Sequence, residues 1–506
     1  MTEALPKAAV IAVVGAGTMG RGIAQVAAAA GHTVLLYDTA DGVAARARAS
    51  VAEDLARLVG KGKLPAADRD AVLTRLQPRG SLSDLAAADL VIEAVVEDLS
   101  AKRQLFAELE RICSPRAILA SNTSSLSITA IAAPLRHPAR CIGMHFFNPA
   151  PVMALVEVVS GLATDPAVAA TVEATAAAWG KLPVRAASTP GFIVNRVARP
   201  FYGEALQLLE ERAADPATID AVLREAGGFP MGPFELMDLV GNDVNAAVTR
   251  SVYDGFFQDP RFKPSAIQQE LVAAGRLGRK SGRGFYDYTA GAVRPEPATL
   301  PRQAAPSRVA VLGASALLET VAALAEAAGM RVERQAGDGM LQLDGAKIAV
   351  TDGRTATERA AADNLENLVL LDLALDFASA RRVALAAADQ ADPRAMGMAA
   401  GLFQALGKAV SPIDDVPGMI VLRTVAMLAN EAAYAVHQGV ATARAVDIAM
   451  TKGVNYPKGP LAWAEEIGLD RILFALDMLA RTYGGGCYRA SALLRRKVWG
   501  GTRFHA

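Results

Sequence analysis

The residues of this chain best suited to proton transfer are a histidine and a glutamate that lie 12 positions apart. His145 ends an apolar run before a proline-rich turn, and Glu157 lies inside the apolar segment 155–159. A carboxylate in an apolar strand is costly unless it is paired, and a nearby imidazole would pair with it. Such a pair would fix the tautomer of His145 and make it a better base. Spacing alone also allows a purely structural pair, so both interpretations stay open.

A second chemical pattern, GAGTMG, occupies residues 15–20. The first glycine allows a tight turn, the second lets the backbone approach a pyrophosphate, and the third lets a helix pack closely on a strand. Free N–H groups at the helix N-terminus would bind the phosphates. The turn residues predicted to contact a dinucleotide are Gly15, Gly17, Thr18, Met19 and Gly20.

The elements around this turn are those that dinucleotide binding requires. Residues 9–14 are typical of a buried strand and residues 21–30 of an apolar helix. Residues 34–37 form a second strand that ends at Asp38, 21 positions after Gly17. An acidic group at that point would accept hydrogen bonds from an adenosine ribose and repel a 2′-phosphate, so NAD is favoured over NADP. The alternative is that the glycines only pack a strand–helix–strand unit.

Polar residues follow two further predicted strands, at 89–94 and 117–120. Because the carboxyl ends of parallel strands face the ligand crevice of such a sheet, Glu97, Asn122 and Ser124 should line it. The same serine-rich run can also cap the helix that follows it, and the two roles are compatible.

The composition excludes several classes of protein. Hydrophobic residues make up 52% of the 506 residues, which excludes global disorder, and the length allows about three to five domains. Lys+Arg and Asp+Glu number 52 each, and a net charge of zero disfavours a nucleic-acid-binding protein. The three cysteines lack CxxC spacing, which argues against a structural metal site and favours a reducing compartment. No run approaches the roughly 18 apolar residues of a membrane span, so we expect a cytoplasmic protein with no membrane partner.

Longer motifs occur in a fixed order along residues 1–288. GAGTMGRGIAQVAA is followed by SNTSSLSI, HFFNPAPVMALVEVV, TPGFIVNR, GFPMGPFELMDLVG and GRKSGRGFYDY. This ordered set resembles (S)-3-hydroxyacyl-CoA dehydrogenase, an enzyme with a Rossmann-like NAD-binding domain and a helical C-terminal domain. The resemblance implies NAD-dependent oxidation of a 3-hydroxyacyl-CoA substrate to a 3-oxoacyl-CoA.

The family's functional residues fall on matching positions of this chain. By resemblance, His145 is the general acid/base and Glu157 is its orienting carboxylate. Ser124 and Asn195 match the residues that hold the substrate 3-oxygen and the imidazole. Contacts to the nicotinamide side and the ribose match Glu97, Lys102, Asn122 and Asn148. Positions near coenzyme A match Lys61 and Lys280, and no metal is implied.

The later part of the chain repeats the earlier part at a constant offset in numbering. PGFIVNR at 190–196 recurs as PGMIVLR at 417–423, and PMGP at 230–233 recurs as PKGP at 457–460, so the offset is 227 in both cases (417 − 190 and 457 − 230). Asn195 becomes Leu422, so this repeat retains packing residues and loses the catalytic amide. It also lacks a histidine–glutamate pair of the kind described above.

Upstream of this repeat, RVAVLGAS at residues 308–315 repeats the first strand and its glycine-rich turn, at an offset of 298 (313 − 15). The turn has decayed: Gly17 becomes Ser315, Gly20 becomes Leu318 and Asp38 becomes Ala336. We predict further strands at 345–350, 368–371 and 383–387. The segment is interpreted as a remnant dinucleotide fold that does not bind NAD, while binding of another ligand stays open.

The predicted fold class is α/β followed by all-α, and then a worn repeat of both. The expected domains are a Rossmann-like NAD-binding domain (1–188), a helical substrate and dimerisation domain (189–290), a proline-rich linker (291–306), a degenerate Rossmann-like domain (307–405) and a second helical domain (406–506). The first long helix is expected to begin near Thr189 and to carry Glu204 and Glu210. Residues 1–288 are called the first half below, and residues 307–506 the second half.

The sequence also suggests a structural role for the second half. In the family that the chain resembles, the helical domain pairs with its counterpart in another subunit. We therefore expect residues 411–506 to dock on residues 189–288 as an internal pseudo-dimer, and a homodimer of chains is compatible with this. The alternative is an independently folded appendage.

The acyl group and two rival functions stay open at this point. The arrangement resembles bacterial dehydrogenases of phenylacetate breakdown that act on 3-hydroxyadipyl-CoA, and also 3-hydroxybutyryl-CoA dehydrogenases. A terminal carboxylate would need an arginine, for which Arg196, Arg199 and Arg224 are candidates unless they form ion pairs between helices. The rivals are an enzyme for free 3-hydroxy acids, which would rely on a lysine, and a non-enzymatic NAD-binding protein; the histidine–glutamate spacing and the intact catalytic set disfavour them. A bifunctional chain with a hydratase would need a separate active domain, which the repeat does not supply.

Overall fold

The computed structural model of the protein describes residues 3–313, 315–484 and 486–505. The chain divides into two compact units. The first unit comprises Met1–Arg196 and Gln438–Val454, and the second comprises Val197–His437 and Asn455–Ala506. A segment of the second half therefore belongs to the same unit as the N-terminal domain. In the described part of the chain, no helix is long and apolar enough to cross a membrane.

The first unit contains an eight-stranded sheet in the order β3-β2-β1-β4-β5-β6-β7-β8. Its strands are β1 (Val10–Val14), β2 (Thr33–Tyr37), β3 (Leu76–Arg79), β4 (Leu90–Glu93), β5 (Ile118–Ser121), β6 (Cys141–Phe146), β7 (Leu155–Ser160) and β8 (Leu182–Ala187). Neighbouring strands are parallel except β6 and β7, which are antiparallel. The strands that the sequence predicts in this region are confirmed, with shifts of one residue at their ends.

Helices lie along this sheet and bury its strands on both faces. They are α1 (Thr18–Ala29), α2 (Val43–Gly60), α3 (Ala66–Arg75), α4 (Leu99–Ile112), α5 (Ile128–Ala132) and α6 (Pro166–Ala178). A parallel strand covered on both faces has no solvent side and reads as a continuous hydrophobic run. Ile11, Val13 and Ile92 are accordingly fully buried.

The chain leaves this sheet through the short helix α7 (Val194–Val197), and a helical region follows. Its helices are α8 (Arg199–Glu210), α9 (Pro216–Glu225), α10 (Pro233–Val240), α11 (Asn242–Gly255) and α12 (Ala266–Ala273). The expectation of one long helix from Thr189 is wrong, because the long helix begins at Arg199. Pro200 has no N–H and fits only the first turn of a helix. The preceding turn also contains Phe192 at a left-handed φ of 48°.

The second unit contains a seven-stranded sheet in the order β10-β9-β11-β12-β13-β14-β15. Its strands are β9 (Arg308–Leu312), β10 (Arg331–Gln335), β11 (Met340–Leu343), β12 (Ala346–Val350), β13 (Leu368–Leu371), β14 (Arg382–Ala387) and β15 (Ala409–Pro412). Its helices are α13 (Ala316–Ala327), α14 (Ala356–Ala362) and α15 (Pro393–Ala405). The three later strands that the sequence predicts are confirmed as β12, β13 and β14, whereas β10, β11 and β15 are additional.

The two sheets correspond element by element over much of their length. β14 and α15 match β7 and α6 at the offset of 227 (382 − 155 and 393 − 166). β9 and α13 match β1 and α1 at the offset of 298 (308 − 10 and 316 − 18). Between these matched parts the second sheet is shortened: β11, antiparallel to β9, lies where the parallel β4 lies in the first sheet. Among the described residues, β3 has no counterpart there.

The final helices repeat the earlier helical region. They are α16 (Val421–His437), α17 (Ala443–Gly453), α18 (Pro460–Ile467), α19 (Leu469–Tyr483) and α20 (Ala492–Trp499). α18 has the bounds of α10 shifted by 227 (460 − 233). α17 lies in the first unit, and the other four lie in the second.

Buried ion pairs and aromatic rings join residues 199–262 of the first half to residues 421–437 and Tyr456 of the second half within the second unit. Arg423 Nε donates to Glu204 Oε2 at 2.7 Å, and neither side chain is more than 6% exposed. Arg261 Nη1 donates to Glu431 Oε2 at 2.5 Å. The ring of Tyr456 packs against Phe201 and Phe229. The partners in each contact come from the two different halves of the sequence.

Each half also packs a helix on the sheet of the other half. In the first unit, α17 lies against β7 and β8, and Ala187 N donates to Val440 O at 2.9 Å. In the second unit, α9 lies against β14, and Arg382 Nε donates to Glu225 Oε2 at 3.1 Å. α9 and α17 occupy corresponding positions in the repeat, so the two arrangements are equivalent.

Candidate active site

The centre of the site is a buried histidine–glutamate pair. In the antiparallel register of β6 and β7, His145 lies directly opposite Glu157. His145 Nδ1 lies 2.7 Å from Glu157 Oε2, and the two residues are 6% and 0% exposed. The structure thus brings together the two residues that the sequence pairs, and the strand register explains their spacing of 12 positions.

The second carboxylate oxygen of Glu157 binds the start of the following helical turn. Glu157 Oε1 accepts hydrogen bonds from the main-chain N–H groups of Ile193 and Val194, both at 3.0 Å. The carboxylate therefore connects the imidazole to the turn that carries Asn195. Sequence reasoning missed these two donors, because a main-chain contact leaves no residue type to recognise.

Two aromatic rings pack against the imidazole. The ring centroid of Phe147 lies 4.5 Å from that of His145, and the Phe192 centroid lies 6.0 Å away. Phe192 reaches this position from its left-handed backbone conformation, directly after Gly191. The Pro-Gly-Phe sequence is the only sequence signal for this arrangement.

Glu97 organises the serine-rich loop after β5. Its Oε1 accepts hydrogen bonds from Thr123 Oγ1 at 2.6 Å and from the N–H groups of Ser124 and Ser125 at 3.0 and 3.1 Å. Burial alone would raise the pKa of Glu97, but these hydrogen bonds and the charge of Lys102 outweigh it and lower that pKa. Glu97 is therefore held as a carboxylate at the end of the sheet.

Lys102 lies below this loop and is 1% exposed. Its Nζ lies 2.6 Å from Glu93 Oε1 and 3.3 Å from Glu97 Oε2. Ser121 Oγ donates to the other oxygen of Glu93 at 2.6 Å. Lys102 therefore contacts two carboxylates, and Glu93 is a buried member of the site that the sequence analysis did not identify.

Two asparagines join neighbouring segments at the strand ends. Asn122 Oδ1 accepts a hydrogen bond from Phe146 N at 2.9 Å, which links the ends of β5 and β6. Asn195 Nδ2 donates to the main-chain oxygen of Ser124 at 3.2 Å. Asn148 follows β6 and is exposed. Asn122 thus contacts the residue that follows His145, and Asn195 follows Val194, whose N–H group donates to Glu157.

The turn before α1 fits a dinucleotide. Gly15 has a φ of 94°, and a side chain there would meet the carbonyl oxygen of Ala94 at 2.5 Å. A Cβ on Gly20 would lie 1.7 Å from the oxygen of Gly15. A Cβ on Gly17 would meet nothing within 4 Å, and no side chain caps the N-terminus of α1. The backbone beside Gly17 is therefore open to a phosphate group, as NAD binding requires.

Asp38 is fixed at the end of β2 by main-chain donors. Its Oδ2 accepts from Ala16 N at 2.8 Å, and its Oδ1 accepts from Ala40 N at 3.0 Å. Each carboxylate oxygen has a further lone pair for a ribose hydroxyl. A hydrogen bond thus connects the glycine-rich turn directly to Asp38, and this arrangement fits NAD.

The two lysines expected near coenzyme A lie at exposed positions. Lys61 follows α2 and is exposed. Lys280 forms an ion pair with Asp243, with Nζ 2.6 Å from Oδ1. The hydrogen bonds of the histidine–glutamate pair include neither lysine.

The corresponding position in the second sheet has lost this chemistry. At the offset of 227, His145 corresponds to Asp372, Glu157 to Ala384 and Asn195 to Leu422. Asp372 Oδ2 accepts from the N–H groups of Ile420 and Val421, which correspond to the donors on Glu157. The second half therefore keeps a carboxylate that holds the helical turn, but has no imidazole at this site.

Three family descriptions match the chain. "3-Hydroxyacyl-CoA dehydrogenase, NAD binding domain" matches residues 10–189. "3-Hydroxyacyl-CoA dehydrogenase, C-terminal domain" matches residues 191–288 and again residues 418–502. "3-Hydroxybutyryl-CoA dehydrogenase reduced Rossmann-fold domain" matches residues 348–417. The predicted fold class, with a degenerate Rossmann-like segment before a second helical domain, is confirmed.

Similar proteins match either nearly the whole chain or about its first half. The 3-hydroxyadipyl-CoA dehydrogenase of Escherichia coli (strain K12) is 48% identical over 488 residues, which cover 96% of this chain and 97% of that protein. A probable 3-hydroxybutyryl-CoA dehydrogenase of Bacillus subtilis (strain 168) is 45% identical over 278 residues, covering 55% of this chain and 96% of that protein. A crystal structure of 3-hydroxybutyryl-CoA dehydrogenase from Escherichia coli K12 matches with a TM-score of 0.89 and 46% identity, over 97% of this chain and 98% of that one. With an NAD-binding domain, a helical C-terminal domain and these relatives, the chain belongs to the NAD-dependent 3-hydroxyacyl-CoA dehydrogenase family.

Proposed function

We propose that His145 is the general base in the oxidation of the 3-hydroxyl group of an (S)-3-hydroxyacyl-CoA, and that Glu157 positions it. The observation that carries this proposal is the 2.7 Å contact between His145 Nδ1 and Glu157 Oε2 in a buried setting. An ionised carboxylate only accepts hydrogen bonds. The pair therefore holds the proton of the neutral imidazole on Nδ1 and leaves the Nε2 lone pair to receive the substrate proton.

Other residues near the histidine–glutamate pair position the imidazole or the substrate. Phe147 and Phe192 restrict rotation of the imidazole ring. When Nε2 takes the 3-hydroxyl proton, the nearby carboxylate of Glu157 stabilises the positive imidazolium. Ser124 and Asn195 are assigned to the substrate 3-oxygen and the imidazole, supported by the hydrogen bond from Asn195 Nδ2 to the main-chain oxygen of Ser124. Bound NAD+ supplies the other half of the chemistry by accepting hydride from C3.

The NAD contacts are assigned from the strand ends. Gly15, Gly17, Thr18, Met19 and Gly20 would hold the pyrophosphate, supported by the open space at Gly17. Asp38 would hold the adenosine ribose, and Glu97, Asn122 and Asn148 the nicotinamide side. Lys102 acts through Glu97 and Glu93, since its buried ammonium group pairs with both carboxylates. Lys61 and Lys280 remain assigned to coenzyme A, and Lys280 must then exchange Asp243 for a phosphate.

The substrate is proposed to be 3-hydroxyadipyl-CoA. Support comes from the relative of that name, which matches this chain over nearly its whole length. The alternative, 3-hydroxybutyryl-CoA, is supported by the name of the solved structure that matches equally fully. Of the three candidate arginines, Arg224 donates to Glu235 at 2.7 Å, and Arg196 and Arg199 are 0% and 6% exposed. None of them offers an exposed guanidinium to a terminal carboxylate in this structure.

The test is NADH production from the two substrates under the same conditions. We expect kcat/KM for (S)-3-hydroxyadipyl-CoA to exceed that for (S)-3-hydroxybutyryl-CoA by about tenfold or more, which corresponds to about 1.4 kcal/mol of preferential transition-state stabilisation. A ratio near one would refute the adipyl preference and leave the dehydrogenase activity intact. Failure of both substrates would refute the catalytic assignment itself.

The second half is proposed to be an internal partner of the first, forming a pseudo-dimer of helical domains. The pairing of Arg423 with Glu204 and of Arg261 with Glu431 supports this, because Glu204 and Glu431 are corresponding residues of the repeat. The reciprocal positions of α9 and α17 also support it, since a two-fold interface uses the same surface of both partners. A homodimer of chains is compatible with this arrangement.

The second half also supports the catalytic pair. Gly453, at the end of α17, belongs to the first unit. A Cβ there would lie 2.6 Å from Leu155 Cδ2, 3.1 Å from Val194 Cγ2 and 3.7 Å from Phe147 Cε1. Val194 donates to Glu157, and Phe147 packs on His145. The repeat is therefore proposed to be retained because α17 presses against the residues that position the base.

The domain limits 1–188, 189–290, 291–306, 307–405 and 406–506 are proposed as the boundaries of this arrangement. The cytoplasm is proposed as the site of action, supported by three unpaired cysteines, Cys113, Cys141 and Cys487.

A further inference from the structure

The second half contains a cavity of about 640 Å³ at the carboxyl ends of its sheet. Thr351 and Asp352, which directly follow β12, form part of its wall, and so does Leu422. β12 lies beside β13 as β5 lies beside β6, so Thr351 corresponds to Thr123. The cavity thus occupies the position that, in the first sheet, carries the catalytic residues. Its volume lies within the range of small-molecule sites.

The chemistry of oxidation is absent from this position, since Asp372, Ala384 and Leu422 replace the histidine, glutamate and asparagine. The cavity can therefore bind a ligand without transferring hydride to or from it. One lining residue indicates that the pocket is adapted to a polar ligand. Thr351 is only 6% exposed, and its Oγ1 has no hydrogen-bond partner among the described residues. A buried hydroxyl without a partner is costly, and a ligand or a water would complete it.

A dinucleotide does not fit this cavity. Ser315 stands where the first half has Gly17, and its hydroxyl accepts the N–H of Leu318 at 3.2 Å, which takes a donor at the N-terminus of α13. The loop after β10 closes on the turn from the other side: a Cβ on Gly313 would lie 2.4 Å from the oxygen of Gly337. The open cradle that accepts a pyrophosphate in the first half is therefore lost here.

The cavity wall nevertheless offers groups that could bind a base, a ribose and a single phosphate. Phe474, on the cavity wall, is 45% exposed and offers a ring face to a planar base. Asp338, three residues after the end of β10, lines the same cavity, and its carboxylate can accept hydrogen bonds from ribose hydroxyls. Arg471 is exposed at the same cavity, with no ion pair among the described residues. A guanidinium is the preferred protein group for a phosphate.

We propose that this cavity binds a purine nucleoside 5′-monophosphate, with the base on Phe474, the ribose at Asp338 and the phosphate at Arg471. The carboxylate of Asp352 would not repel the phosphate strongly, because Arg354 already binds it, with Nη2 2.7 Å from Oδ2. The second half then carries a ligand site of its own, separate from catalysis.

The test uses the full-length protein and AMP as the probe. AMP binding is measured by equilibrium dialysis in the presence of saturating NADH, which fills the site in the first half and is followed by its own fluorescence. We expect one AMP per chain under these conditions. Arg471→Ala and Phe474→Ala should each weaken AMP binding by about tenfold or more, with dehydrogenase kcat unchanged.

Arg496→Ala is the matched control, because Arg496 is an exposed arginine of α20 outside the cavity wall. It should bind AMP as the wild-type protein does. Loss of all AMP binding when NADH is present would show that AMP binds only at the NADH site and would overturn the proposal. So would wild-type AMP affinity in both cavity variants. Because NADH fluorescence and kcat are read separately, these outcomes are distinct from a failure of the catalytic assignment.

Discussion

The proton-transfer role proposed for His145 depends on which ring nitrogen carries the proton, and we propose that Glu157 determines this. Replacing Glu157 by Gln retains an oxygen that can accept from the N–H groups of Ile193 and Val194. The new amide would then direct its NH2 group at Nδ1, which forces the proton onto Nε2, where the base is needed. Glu157→Gln therefore keeps the packing of the two side chains but moves the imidazole proton of His145 from Nδ1 to Nε2.

We therefore expect Glu157→Gln to lower kcat by about 10²–10⁴-fold, and His145→Gln by a similar factor. NADH affinity should change little in both, because the glycine-rich turn and Asp38 are untouched. Steady-state kinetics with an NADH fluorescence titration checks both quantities. Unimpaired turnover in His145→Gln would remove the core of the assignment.

At the residue scale, the sequence predicts polar side chains better than main-chain contacts. The pair of His145 and Glu157 is recognisable because a carboxylate in an apolar strand needs a partner. The buried ion pair of Lys102 with Glu93 is not recognisable from the sequence, since Glu93 looks like the end of an ordinary strand. The N–H donors to Glu157 depend on a left-handed turn at Phe192, which only the folded chain defines.

At the scale of elements, each half anchors a helical turn to a strand through one buried carboxylate. In the second half this is Asp372, whose Oδ2 accepts from Ile420 N and Val421 N at 3.0 and 2.7 Å. Burial raises the pKa of Asp372 to about 6, although these hydrogen bonds oppose it. The folded protein therefore binds this proton more tightly than the unfolded chain, where an aspartate has its ordinary value of about 3.9.

A raised folded-state pKa contributes stability at low pH that is lost as the pH rises through about 6. We expect the wild-type advantage in Tm over Asp372→Asn to be larger at pH 5 than at pH 8. Thermal unfolding of both proteins at the two pH values measures this. Asp254→Asn, at an exposed carboxylate of α11, is the control and should show no such difference. An advantage that is constant or grows towards pH 8 would contradict this account.

Helix α17 packs against β7 and β8, next to residues that contact the histidine–glutamate pair. Gly453→Ala should lower kcat severalfold and Gly453→Val by about tenfold or more, because displacing Val194 and Phe147 moves the imidazole. NADH affinity should be preserved. Gly203→Ala is the matched control, since a Cβ at this exposed position of α8 meets nothing within 4 Å. Wild-type kcat in Gly453→Val would show that α17 does not support the base.

The elements themselves are mostly visible in the sequence, and the exceptions have physical causes. Apolar runs between glycine-rich turns predict β1, β2, β4 and β5 to within a residue. β10 escapes prediction because it is largely exposed and carries three charged residues, and β11 because it pairs antiparallel to β9 where the first sheet has a parallel strand. Pro200, which separates α7 from α8, is a break that the apolar periodicity conceals.

At the scale of the whole molecule, the repeated motifs identify a duplicated plan, but not how its parts are distributed. Residues 438–454 of the second half lie in the unit of the first Rossmann-like sheet. This exchange cannot be inferred from the constant offset between the motifs, because it depends on long-range packing of α17. We propose this packing as the physical reason why the second half is retained without the catalytic residues.

We propose that this chain of 506 residues holds one catalytic NAD site. Gly17 leaves the first turn open, whereas the hydroxyl of Ser315 occupies the helix N-terminus of the second. Fluorescence titration of NADH at protein concentrations well above Kd measures the number of sites directly. We expect one NADH per chain, with binding abolished or strongly weakened by Gly17→Val and unchanged by Ser315→Ala. A stoichiometry of two NADH per chain would show that the second half also binds the dinucleotide and would refute the single site.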